Sequence, residues 1–177
     1  MRAGPVRLAL VLSAGLIVGG CGQLGASWKG TRLEQPAVIA PAEVQRYPAD
    51  APQRSFLAWF RALQLDDTAT AAGFYDKALG LSPKRVARSR RRARRLLREA
   101  GLEVVDVSRG GRRATVFTLL TVRRVAPNGR VDAYVTPQAF DLVRVGGAWK
   151  LANNLFLQSA DSLHRDLAIR VARLSGA

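Results

Sequence analysis

At Leu102 the apolar period of the chain changes from 3.6 residues to 2. Upstream, apolar side chains recur at helical spacing. Downstream they alternate along runs separated by turn residues, two of them glycine pairs. A chain divided in this way predicts helices first and an antiparallel sheet second, an α+β layout with the helices packed on one sheet face. The sequence has one cysteine, Cys21, so no internal disulfide can brace the two layers. The core alone must hold the fold.

Phe56, Leu57, Trp59, Phe60, Leu63 and Leu65 share one broad face of a first helix that begins near Gln53. Asp66-Asp67-Thr68 reads as a helix end followed by a new N-cap, where acidic groups meet the positive end of the helix dipole. The second helix is expected from Thr68 to Leu79, stopped by Gly80. Ser82-Pro83 opens a third, running to about Ala100, by the rule that favours serine at the cap and proline at the first helical position. Four strands follow: Leu102–Arg109, Arg112–Arg124, Arg130–Val145 and Ala148–Leu157, turned by Gly110-Gly111, Ala126–Gly129 and Gly146-Gly147. Pro137 lacks an N–H and predicts a bulge or an edge in the third strand. Leu163, Leu167, Val171 and Leu174 mark a C-terminal amphipathic helix.

Phe56–Phe60 in the first helix, Ala72–Asp76 in the second, Phe140–Val143 and the run Gly146-Gly147-Ala148-Trp149-Lys150-Leu151 occur in an order that resembles the NTF2-like (cystatin-like α+β cone) superfamily over about residues 53–157. The resemblance implies three helices on a curved four-stranded antiparallel sheet. It also implies a pocket between sheet and helices, in which enzymatic members of the isomerase and dehydratase kind carry out proton transfer. The C-terminal helix departs from the simplest version of that pattern.

Met1–Arg7 carries two arginines, Leu8–Val18 is an apolar core too short to span a bilayer, and Val18-Gly19-Gly20 leads to Cys21. This pattern resembles the lipobox of bacterial lipoproteins. The resemblance implies cleavage before Cys21, a lipid on its sulfur and a protein held on the outer, extracytoplasmic face of a membrane. Residues 1–20 are then a signal peptide. Residues 21–52, with Pro36, Pro41, Pro48 and Pro52, read as a tether on which Val38 and Ile39 could still pack, and 53–177 as the domain.

The third helix is the other marked feature. It holds Arg85, Arg88, Arg90, Arg91, Arg92, Arg94, Arg95 and Arg98 around a narrow apolar stripe of Val86, Ala93, Leu96, Leu97 and Ala100, in a chain of net charge +15. Only four basic residues are lysines, so part of this charge can reflect a GC-rich coding bias, and the run can be a plain solvated face. The functional alternative is contact of Arg85, Arg88, Arg91, Arg92 and Arg95 with anionic lipid or a cell-wall polymer. Nucleic acid is not expected, since no aromatic residues interleave with the arginines.

Residues suited to catalysis are scarce. His164 is the only histidine and reads as a surface or interface residue. Asp76, Asp132 and Asp141 are the acid–base candidates, and each is as readily an exposed carboxylate. No phosphate loop, nucleophile elbow or metal spacing is present, so no cofactor or metal is implied. Trp59, Tyr75, Phe117, Tyr134, Phe140, Trp149 and Asn153 are candidates to line a pocket, or ordinary core. The expected function is a membrane-anchored, non-enzymatic binding or accessory module for an envelope partner or a small apolar ligand. The alternatives are an NTF2-like enzyme or a module that dimerises.

Overall fold

The computed structural model describes residues 32–33, 36, 38–125 and 128–174. The signal segment and Cys21 lie outside the described residues. Short strand β1 (Arg32–Leu33) and helix α1 (Pro41–Gln45) precede α2 (Pro52–Gln64), α3 (Thr68–Gly73) and α4 (Pro83–Glu99). The strands are β2 (Ala100–Gly110), β3 (Arg113–Val125), β4 (Val131–Val145) and β5 (Ala148–Leu151), and α5 (Leu155–Leu174) closes the described chain. The α+β class follows directly, with helices packed on an antiparallel sheet.

Each start signal works locally. Asp67 Oδ1 accepts the Thr70 N–H at 3.0 Å at the head of α3, and Ser82 Oγ accepts that of Arg85 at 3.4 Å at the head of α4. The second helix is shorter than expected. It ends at Gly73, and a separate 3-10 turn covers Lys77–Leu79. Strand β5 breaks it. The Leu151 N–H donates to the Phe74 carbonyl at 2.7 Å, and the Asp76 N–H donates to the Leu151 carbonyl at 3.1 Å. Those backbone groups cannot serve a helix and a sheet edge together.

β3 is central, paired antiparallel with β2 along one edge and with β4 along the other. The spatial order is β2–β3–β4–β5. β4 pairs with β3 as far as Val125, so β1, which pairs Arg32 with Val125 and Leu33 with Arg124, must share the β2 edge. The ladder does not break at Pro137, which lies opposite Leu119 in continuous register. β5 reaches only Leu142–Val145, so the proline sits where β4 is the outer strand and a missing donor costs the sheet nothing. The bulge is in β2 instead, between Val104 and Asp106.

Alternation along β3 turns Ala114, Val116, Thr118, Leu120 and Val122 toward the helices. α2 and α5 pack on this inner face, and α4 packs on α5, α3 and α2. The last strand is shorter than expected, ending at Leu151, and the C-terminal helix starts earlier, at Leu155. Phe156, Leu157 and Ala160 are therefore core residues of a helix. Part of the segment read as a tether also belongs to the domain. Ile39 is buried, its N–H donates to Gln64 Oε1 at 3.0 Å, and Arg61 Nε donates to its carbonyl at 2.9 Å. Trp149 Nε1 donates to the Asp50 carbonyl at 2.8 Å, tying the same segment to β5. Val38 remains exposed.

Candidate functional site

The aromatic pocket candidates divide. Trp59, Tyr75, Phe140 and Trp149 are buried. Phe56 and Phe140 meet at a tilt of 43° with centroids 4.5 Å apart, Phe140 meets Phe156 at 5.2 Å, and Trp59 stands edge-on to Tyr75 at 5.9 Å and 87°. Trp59 is 1 % exposed, its ring enclosed by Phe56, Phe60, Phe140 and Phe156. The centre of the domain is filled by these rings, and of them Tyr75 also reaches the wall of an open cleft. Phe117 is not a pocket residue, because odd positions of β3 face outward and it is 37 % exposed on the far side of the sheet. Asn153 does not lie on a strand. It follows β5, and its Oδ1 accepts the Leu155 N–H at 3.2 Å, satisfying a free donor at the head of α5.

The neighbouring Asn154 has a more telling contact. Its Oδ1 accepts the Tyr75 hydroxyl at 2.8 Å. Burial raises the Tyr75 phenol above the ordinary tyrosine value, so the group is held as a neutral donor. Tyr134 is half-buried on the inner face of β4, where its hydroxyl accepts from Arg170 Nη1 of α5 and the guanidinium lies 5.3 Å from its ring centre. The same face of β3 and β4 pairs Arg124 with Asp132 and Thr118 with Gln138. The sheet's inner surface is thus apolar at the β5 end and polar at the β1 end.

The carboxylates are placed for structure. Asp76 Oδ1 accepts the Ala78 N–H at 3.1 Å, Asp141 Oδ1 accepts the Thr115 hydroxyl at 2.9 Å, and Asp132 pairs with Arg130 at 3.1 Å. Asp76 and Asp141 share an open cleft of about 530 Å³ with Arg113 and Asn153, and neither is buried. A second open cleft, of about 760 Å³, runs between α3, the head of α4 and the β4–β5 turn, with Tyr75, Asp76, Lys77 and Lys150 on its walls. No group of metal-ligating side chains occurs among the described residues, and none of the described helices is long and apolar enough to cross a membrane. His164 falls within α5, and its side chain is not among those described.

The outward face of α4 is the most strongly charged surface. Arg85, Arg88, Arg91, Arg92, Arg94, Arg95 and Arg98 are all exposed. Arg85 reaches back to the Gly80 carbonyl at 3.4 Å and Arg98 pairs with Glu99 at 2.9 Å. Arg90 is different in kind, turned inward with its side chain 14 % exposed and bound to Asp66 at 2.6 Å. Among the described residues, Arg88, Arg91, Arg92, Arg94 and Arg95 make no hydrogen bond and no ion pair. The helix contains one acidic residue, Glu99, and it is buried.

No family model and no curated protein matches the chain. Solved structures with some likeness include a ketosteroid isomerase-like protein from Erwinia carotovora atroseptica, at 15% identity and TM-score 0.41, covering 55% of this chain and 85% of that one. An NTF2-like protein with a cystatin-like fold from Novosphingobium aromaticivorans is 14% identical with TM-score 0.40, over 55% of this chain and 73% of that one. A SEC-C motif containing protein from Rhodopseudomonas palustris is 16% identical with TM-score 0.42, over 64% and 84%. Likenesses of this size carry no activity from those proteins to this chain.

Proposed function

We propose that the chain is a lipoprotein anchored through Cys21 outside the cytoplasmic membrane, and that its NTF2-like domain is a non-enzymatic binding module whose helix α4 meets an anionic envelope surface. The observation that carries this reading is the set of five unpaired, exposed guanidinium groups on Arg88, Arg91, Arg92, Arg94 and Arg95, within two turns of one helix. Like charges at this spacing repel, and each would be stabilised by a phosphate or carboxylate brought from outside. The filled aromatic centre favours a non-enzymatic role; among the described residues the buried carboxylate is Glu99, which lines a separate cleft with Pro36, Gly101 and Thr121.

The test is twofold. Cys21→Ala should move the protein from the membrane fraction to the soluble one, and continued retention would remove the anchoring claim. The soluble domain with Arg88, Arg91, Arg92 and Arg95 changed to Gln should lose retention on an anionic matrix, while the unchanged domain elutes with salt. An unchanged domain that passes through such a matrix would remove the surface claim.

The outer sheet face favours self-association as a second reading. Phe117, Val135 and Val131 are exposed at intervals along that face, and exposed apolar side chains of this kind can contribute to an interface. Sedimentation of the soluble domain, with and without Phe117→Ser, reads it directly.

A further inference from the structure

We infer that α4 docks along the same phospholipid surface that holds the lipid on Cys21, with β1 as the mooring point and anionic headgroups as the partner of Arg88, Arg91 and Arg95. This rests on the anchoring reading above and adds to it a partner and an orientation.

The sheet supplies the argument. β2 begins at Ala100, directly after α4, and Ala100 pairs with Val122 of β3. β1 continues the same edge, with Leu33 opposite Arg124. Pro36 then lies over Gly101, 3.8 Å from the position a side chain would take there. The chain coming from Cys21 therefore enters the domain at the C-terminal end of α4. Ten residues lie between Cys21 and Arg32, a span that reaches at most about 40 Å when fully extended. α4 has 17 residues and is about 25 Å long. The arginine face thus stays within tether range of the bilayer, and its C-terminal end is attached closest.

Arg88, Arg91 and Arg95 project from the solvent side of the helix, at spacings of three and four residues, so they share one row that a flat surface can meet at once. Each contact is weak when the domain is free in solution. The tether makes the encounter intramolecular, and a short linker raises the effective concentration of headgroups enough to hold the row down. Headgroups are the anions that the tether holds at this distance, which favours them over a polymer met by free diffusion. The opposite end of the sheet carries β5, the Gly146-Gly147 turn and both clefts around Asp76. Docking by α4 brings its head, and with it the cleft walled by Ser82 and Pro83, toward the same surface, and leaves the β2–β3 turn at Gly110-Gly111 furthest from the anchor.

The experiment uses the full-length lipidated protein reconstituted in vesicles of phosphatidylcholine alone or mixed with phosphatidylglycerol. Arginines are labelled with phenylglyoxal and read by peptide mass spectrometry. Modification of Arg88, Arg91 and Arg95 should be several-fold lower in the anionic vesicles, and the difference should vanish in about 1 M salt, where the screening length falls to about 3 Å. Arg109 and Arg112, exposed beside the β2–β3 turn, should react equally in both. Equal modification of α4 in both vesicle types overturns the proposal. So does protection that appears only when a soluble anionic polymer is added to the neutral vesicles. The mass of the N-terminal peptide reports the lipid on Cys21 separately, so a lipidated protein with uniform labelling defeats the docking and leaves the anchoring intact.

Discussion

Arg90 Nη1 lies 2.6 Å from Asp66 Oδ1, and its Nε donates to the Leu63 carbonyl at 2.5 Å. One arginine of the basic run therefore closes the C-terminus of α2, where Asp66 takes a left-handed backbone with φ of 64°. Its neighbours in sequence point to solvent. The run is one composition doing two jobs, and the helical period decides which residue does which.

Arg90→Ala should lower stability by about 1–3 kcal/mol, because it removes a charge-assisted bond and leaves a helix-end carbonyl without its donor. Arg88→Ala, Arg91→Ala and Arg95→Ala should each stay within about 0.5 kcal/mol of the parent. Urea unfolding of the soluble domain separates the two groups.

The bond from Tyr75 to Asn154 should respond asymmetrically. Asn154→Ala leaves a hydroxyl buried without an acceptor and should cost about 1–3 kcal/mol. Tyr75→Phe removes the buried group and leaves a half-buried amide that water can reach, so its cost should be about 0.5–1.5 kcal/mol. Reversal of that order in denaturation midpoints would show that the hydroxyl is satisfied elsewhere.

Burial raises the Tyr75 phenol in the folded state, while the unfolded chain ionises at about pH 10. Stability is therefore full below that pH and falls as pH rises above it, since the unfolded state loses its proton first. The chain has three tyrosines. Phenolate absorbance should show one component that appears only on unfolding, and Tyr75→Phe should remove it and flatten the alkaline decline.

Ile39→Ala should cost about 2–5 kcal/mol, the usual range for emptying a buried isoleucine site. Val38→Ala, beside it and exposed, should cost almost nothing. Equal and negligible effects in thermal melts would restore the whole of residues 21–52 to the role of a tether.

The exposed charge of α4 was legible in the sequence, because the helical period fixes its apolar stripe and capping at Ser82-Pro83 sets where that period starts. The inward turn of Arg90 was not, since in the sequence it groups with the other arginines and its partners Asp66 and Leu63 lie on another element. The pocket residues were not legible. Aromatic composition cannot say whether rings surround a hollow or fill it, and here Phe56, Trp59, Phe140 and Phe156 meet one another. The role of Asn154 was hidden for a related reason, since its partner is 79 residues away.

What the sequence determined by itself is the order of helices and strands from α2 onward, the outward charge of α4 and the exclusion of internal disulfides. Caps, periodicity and composition act within a few residues, so they can be read along the chain. The tertiary structure decided the rest. It broke the second helix to pair Tyr75 with β5, folded Leu155–Leu157 into α5 rather than a strand, and set β1 beside the end of α4. Those outcomes depend on which distant backbone and side-chain groups satisfy one another, and no local pattern records that.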